Sequence, residues 1–202
     1  TGMQPAAGHS LTDIFQSTKS GQVNPDRDHV LIGKERHDIG RPHDQGYPIR
    51  GIVKGGMLYL HNYETGRWPA GNPETGYLNC DGSPTKSVIL DLRREGSQQQ
   101  FWELAFGKRP SEELFVIDDD QECMTNLAEA PEYQKVKQAL KQQLEAELKA
   151  QQDPRMTGKG GVFEAYQYSD PRTRNFYERY MGGEPLKAGW VNKTDFEAAP
   201  LD

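Results

Sequence analysis

Between Pro131 and Gln151 the apolar residues Tyr133, Val136, Leu140, Leu144 and Leu148 recur at steps of three, four, four and four, the spacing that aligns side chains along one face of an α-helix. Pro131 stands at the position where a fixed φ starts a helix without losing a hydrogen bond. Glu145, four residues before Lys149, adds an ion pair worth a few tenths of a kcal/mol. A helix with one apolar stripe must lay it on another layer. Four short runs can supply that layer. His29 to Gly33 is apolar and closed by glycine, which reads as a strand buried on both faces. Tyr47 to Val53 and Met57 to Asn62 flank Gly55-Gly56, a dipeptide suited to a two-residue hairpin. Glu113 to Asp118 is the fourth run. The expected fold class is α+β: a small antiparallel sheet from strands near 29–33, 47–54, 57–62 and 113–118, packed on one face by the amphipathic helix over 131–151.

The layer is thinly supplied. Leu, Ile, Val and Phe make up about 18% of the 202 residues, below the ~20% at which a chain fills its own core with ease. Nine Tyr, seven Phe and three Trp, with a net charge of only −6, exclude a disordered polyanion. The chain is expected to fold partly against something else. No run of apolar residues is long enough for a transmembrane helix, and the first twenty residues lack the pattern of a signal peptide. No tract rich in Lys and Arg provides a nucleic-acid footprint. Neither nucleic acid nor a membrane is an expected partner. Cys80 and Cys123 stand apart, without histidines at ligand spacing, so neither zinc nor a disulfide framework follows.

Three regions frame the sheet. Residues 1–28 are polar and read as a connecting segment, with one short helix near 10–17 capped by Ser10 or Thr12. The sheet and helix occupy 29–151. Residues 152–202, rich in glycine and scattered aromatics, read as an irregular C-terminal extension on the surface. Inside the middle region, residues 63–87 form a long Gly/Pro/Asn/Asp-rich loop. Its length suits a functional or a disordered loop, and Tyr63, Trp68 and Tyr77 favour an ordered rim. Residues 88–106 are expected to be helical in part.

The chain carries no Gly-rich phosphate fingerprint between a strand and a helix, and no Gly-x-Ser-x-Gly elbow. One dense segment stands out. Gly33 to Asp44 packs Lys34, Arg36, Arg41, two histidines and three carboxylates directly after a strand. Two readings fit it: a solvated charged loop, or an anion-recognition loop with Lys34, Arg36 and Arg41 on sulfate or carboxylate and Asp44 on sugar hydroxyls. The pattern admits both.

Phe106 to Ala128 resembles the Lys-Arg-Pro-x-Glu-Glu-Leu-Tyr-Asp-Leu to Asn-Leu-Ala segment that opens the C-terminal part of type I sulfatases, with Phe115, Val116 and Gln121 replacing the usual Tyr, Asp and Pro. Gly33 to Asp38 through Tyr47 to Arg50, Arg67 to Tyr77, Asn79 to Lys86, and Asp153 to Arg155 are similar to the bacterial branch related to heparan N-sulfatase (N-sulfoglucosamine sulfohydrolase). The resemblance implies a sulfatase C-terminal subdomain of an alkaline-phosphatase-like parent. The parent so implied hydrolyses a sulfate ester or sulfamate on a sugar derived from glycosaminoglycan, using a formylglycine nucleophile and calcium.

Neither the formylglycine motif nor the calcium carboxylates have a counterpart here: Cys80-Asp81-Gly82-Ser83-Pro84 has glycine at the third place and proline where arginine is required. The resemblance implies that nucleophile and metal lie in an N-terminal sulfatase domain, and that this segment has no catalytic residue, binds no cofactor and supplies the pocket rim. Arg36, His37, Arg41, His43 and Asp44 are the implied contacts to the sulfated sugar, and Arg50, inside a strand, is structural. A periplasmic or secreted location is implied by the family. The alternative is a non-enzymatic carbohydrate-binding or interaction module that keeps the fold.

Overall fold

Gly55 and Gly56 both adopt positive φ, 55° and 71°, the pair of angles that closes a tight hairpin in the sense of the strand twist. In the computed structural model, which describes residues 7–201, that turn joins strands β2 (Ile49–Lys54) and β3 (Met57–Asn62). With β1 (His29–Lys34) and β4 (Glu112–Val116) they form one antiparallel sheet in the order β1-β2-β3-β4. The register aligns Leu31, Ile52, Tyr59 and Leu114 across the strands on one face. Helix α4 (Gln134–Ala150), entered through a 3-10 turn at Pro131–Tyr133, lays Leu140, Leu144 and Leu148 over those residues. Each leucine buried there contributes roughly 1.5–3 kcal/mol. The expected α+β architecture is the observed one.

The same face carries one polar knot. The Tyr59 hydroxyl donates to Glu112 at 2.6 Å, and Lys141 and Lys137 reach the same carboxylate from α4 at 2.9 and 3.2 Å. Burial alone pushes the Glu112 carboxyl up, but the hydrogen bonds from Tyr59, Lys141 and Lys137 outweigh it and bring the carboxyl down to about 2. Sheet and helix are tied by charge as well as by apolar contact.

Strand β1 departs from expectation. It lies at the sheet edge, and Val30 and Ile32 are 56% and 39% exposed. An apolar run looks the same whether one face or two are covered, and here α4 covers only one. The other face holds Val30, Val53, Leu58 and Phe115 in one cross-strand row, and Ile32, Gly51 and Leu60 in the next. A Cβ on Gly51 would stand 2.6 Å from Leu60 and 3.0 Å from Ile32, so only glycine lets those side chains meet. A groove of about 280 Å³ runs along this face, bordered by Ile49, Leu58, Leu60, Leu104 and Met124.

The C-terminal region, expected as an irregular tail or a pair of short elements on the surface, is made of short elements that pack inward. Helix α5 (Phe176–Met181) and several 3-10 turns fold back, and Phe176 and Ala188 join Ile39 and Leu78 in a second core. The apolar residues there follow no single period, so no sequence pattern announces them. The long 63–87 segment is ordered, and it ends where helix α2 (Pro84–Arg94) starts at the Ser83 cap, whose hydroxyl accepts from Lys86 N at 3.1 Å. With helix α3 (Gln99–Phe106), these elements close a third core of Tyr77, Leu90 and Phe106. The C-terminal stretch clamps the segment: Trp190 Nε1 donates to Leu78 O at 2.8 Å, Gly82 N donates to Trp190 O at 2.7 Å, and the fully buried Lys86 pairs with Asp195 at 3.2 Å. Near the N-terminus the expected helix is a single turn, α1 (Thr12–Phe15), with Ser10 Oγ accepting from Thr12 N and both Leu11 and Phe15 exposed. No helix among the described residues is long and apolar enough to cross a membrane.

Two measurements check this packing. Leu144→Ala, at 2% exposure, should lower unfolding free energy by about 2–5 kcal/mol in urea denaturation. Glu112 has a depressed folded-state pKa, so its stabilisation is present above the unfolded value of 4.5 and is lost as pH falls toward about 2. Melts between those limits should show a falling Tm that flattens in Glu112→Gln; an unchanged slope in the variant would remove the carboxylate from that role.

Candidate functional site

At the end of β1 the chain is gripped before it enters the charged segment. Arg50 on β2 donates to Asp153 at 2.7 Å, to Glu35 at 2.6 Å and to the carbonyl of Lys34 at 3.2 Å. Arg155 holds the other side of Glu35 at 2.6 Å. Burial works against the Arg50 charge, but the two carboxylates more than restore it and raise its pKa. Arg50 is structural, as its place in a strand suggests.

Beyond Glu35 the five candidate residues go to three places. Arg41 turns inward and is 1% exposed. Its nitrogens donate to the carbonyls of Trp68 and Pro69, each at 2.7 Å, and to Gln45 O at 3.4 Å. Burial, reinforced by nearby Arg67, lowers its pKa to about 10. Arg41 is therefore removed from the expected sugar contacts and is a positioning residue for the long loop.

Arg36, His43 and Asp44 come together at a cleft of about 160 Å³, with Tyr166, Arg174 and Asn175 on its other side. Arg36 donates to Asp44 O at 3.0 Å and Tyr166 O at 2.7 Å, with its guanidinium 5.7 Å from the Tyr168 ring centre. Asp44 is 6% exposed; Oδ2 accepts from Asn175 N at 2.8 Å, and Oδ1 is buried without a partner. His43 is exposed and tied through its backbone N–H to Glu178 at 2.7 Å. His43, Asp44 and Asn175 all have φ between 51° and 57°, and His, Asp and Asn are the side chains most often found in that left-handed region. The chemistry of this cleft, one free carboxylate oxygen among tyrosines and arginines, suits hydroxyl groups.

His37 lies elsewhere, on a wider cleft of about 390 Å³ between the end of β1 and the first turn of α2, with Lys34, Asn79, Ser83, Thr85 and Arg109. No carboxylate lines it. Burial, with a contribution from Arg41, holds the Lys34 ammonium below its usual pKa. Lys86 borders the cleft, but its ammonium is spent on Gly76 O, Cys80 O and Asp195. Burial raises the Cys80 thiol, which leaves it protonated near neutrality and unsuited to nucleophilic attack. Sequence reasoning gave Arg109 no role and placed Asn79 only on a loop rim. Among the described residues no three His, Cys, Asp or Glu side chains are grouped to hold a metal.

No protein-family model matches the chain, and no curated protein matches it.

The different placements predict different phenotypes. Arg41→Ala strands two interior carbonyls and should cost about 2–5 kcal/mol of stability. His43→Ala, at an exposed site, should stay within about 1 kcal/mol of the parent in the same denaturation experiment.

Proposed function

We propose that the chain is the C-terminal segment of a sulfatase that hydrolyses a sulfate ester or sulfamate on a sugar, with a separate N-terminal domain carrying nucleophile and metal. One observation carries the reading. Four of the five stretches that resemble sulfatases contribute nearly all of the wall of the 390 Å³ cleft: Lys34 and His37 from the first, Pro69 and Ala70 from the second, Asn79, Cys80, Ser83, Thr85 and Lys86 from the third, and Phe106 and Arg109 from the fourth. Convergence of that kind is what a shared substrate site requires of residues on separate loops.

The chain's own residues do not fit the family's reactive groups. No carboxylate lines the cleft, and Cys80 is followed by Gly82 and Pro84 rather than by the residues of a formylglycine motif. In this reading calcium and formylglycine belong to the partner domain, and the present residues bind and orient. Arg36, His43 and Asp44 address sugar hydroxyls; Lys34 and His37 stand toward the charged end. The apolar second face of the sheet, with Val30 and Ile32 exposed, is the surface the partner domain covers. In this reading the protein works in the periplasm or outside the cell, where sulfated glycans occur.

The chain alone should show no turnover of an aryl sulfate or N-sulfoglucosamine with calcium present, whereas the chain joined to the upstream part of its reading frame should turn over the sugar. In that longer protein Asp44→Ala should lower kcat/KM on the sulfated sugar about 10- to 150-fold, the loss of one charge-assisted hydrogen bond, and spare the aryl sulfate. Turnover by the chain alone, or an upstream frame without a formylglycine motif, would sink the proposal.

A further inference from the structure

The wide cleft has a chemistry of its own that does not depend on where a nucleophile lies. Lys34 and Arg109 both reach it, and neither makes an ion pair among the described residues. Arg50, Arg67, Lys86, Lys137 and Arg155 find carboxylates, whereas Lys34 and Arg109 face one cavity that no carboxylate lines. Lys34 is already partly desolvated, and its ammonium is held down by burial and by Arg41. An anion beside it would reverse that penalty.

A second observation is independent of charge. Both polar atoms of the Asn79 side-chain amide are buried and have no hydrogen-bond partner, a state native proteins seldom leave standing without a ligand or water to fill it. Asn79 lines the same cleft. Thr85 adds a hydroxyl, and Pro69, Ile89 and Phe106 supply an apolar wall. The volume, about 390 Å³, falls within the range of small-molecule sites.

We propose that this cleft binds an anionic oxygen group, sulfate, carboxylate or phosphate, carried on a molecule the size of a sugar, with Lys34 and Arg109 supplying the charge and the Asn79 amide completing the contact. The site follows from its lining; only the choice of a sulfated sugar as its natural occupant rests on the sulfatase reading. One Arg109 nitrogen donates to the carbonyl of Leu104 in α3; the side chain stands between this cleft and the groove along the sheet, and the rest of its fork makes no other hydrogen bond among the described residues.

The test is a titration of the isotopically labelled chain, followed by amide chemical shifts, with four probes: N-sulfoglucosamine, glucuronic acid, glucose 6-phosphate and neutral N-acetylglucosamine. Saturable shifts clustered on Asn79, Thr85 and Arg109 with at least one anion, and none with the neutral sugar, are expected, and the ranking of the three anions identifies the group. Lys34→Gln and Arg109→Gln should each weaken binding about tenfold or more, while Lys159→Gln, remote in sequence and on the C-terminal region, should leave it unchanged. No saturable shift with any anion, equal binding of the neutral sugar, shifts located away from the cleft, or affinity unchanged in both glutamine variants overturns the site. Should a variant fail to fold, the location of the shifts in the parent chain decides. Binding here without sulfatase activity in the longer protein would remove the sulfatase reading alone; activity without binding here would remove this site alone.

Discussion

The buried ion cluster of Arg50, Glu35, Asp153 and Arg155 sets where everything else can go. Four charges taken out of water are tolerable only when each is matched, and these are matched by residues from β2, from the exit of β1 and from the turn after α4. The cluster therefore fixes two departures at once: the point where the charged segment leaves the sheet, and the point where the chain turns back after its longest helix. Arg155 also lies over the rings of Tyr63 and Phe163, so the start of the long loop and the first turns of the C-terminal region are drawn to the same place. Removing Arg50 would leave Asp153 without a cation while Glu35 keeps Arg155, a larger disturbance than losing a surface pair.

What the sequence disclosed was what obeys a period. The stripe from Tyr133 to Leu148 lies on the sheet as its spacing requires, and Gly55-Gly56 forms the hairpin its backbone freedom allows. Periodicity is a local signal, and it failed wherever long-range pairing decided the outcome. Val30 and Ile32 alternate with residues that are covered, yet nothing in the run says whether a second layer exists. Phe176, Ala188 and Trp190 are buried or half-buried against Ile39 and Leu78, about a hundred residues or more away, with no repeat to mark them.

The candidate site shows the same division. A cluster of charges after a strand was visible, but whether a guanidinium faces solvent or backbone carbonyls was not, and Arg41 went inward while Arg36 stayed at the surface. His43 and Asp44, in left-handed backbone, turn one way; His37, only six residues earlier, looks into a different hollow. The dense segment thus serves two clefts of contrasting character, one polar with a free carboxylate oxygen, the other cationic and free of acid.

The pairing of Lys86 with Asp195 has a consequence for the order in which the molecule is completed. Closing so long an intervening stretch is entropically slow to reward, and the ammonium that organises the turn before α2 has no carboxylate until Asp195 has docked. The cationic cleft acquires its final shape only after that docking, and a proteolytic nick just before Asp195 would be felt at a site assembled from residues 34 to 109.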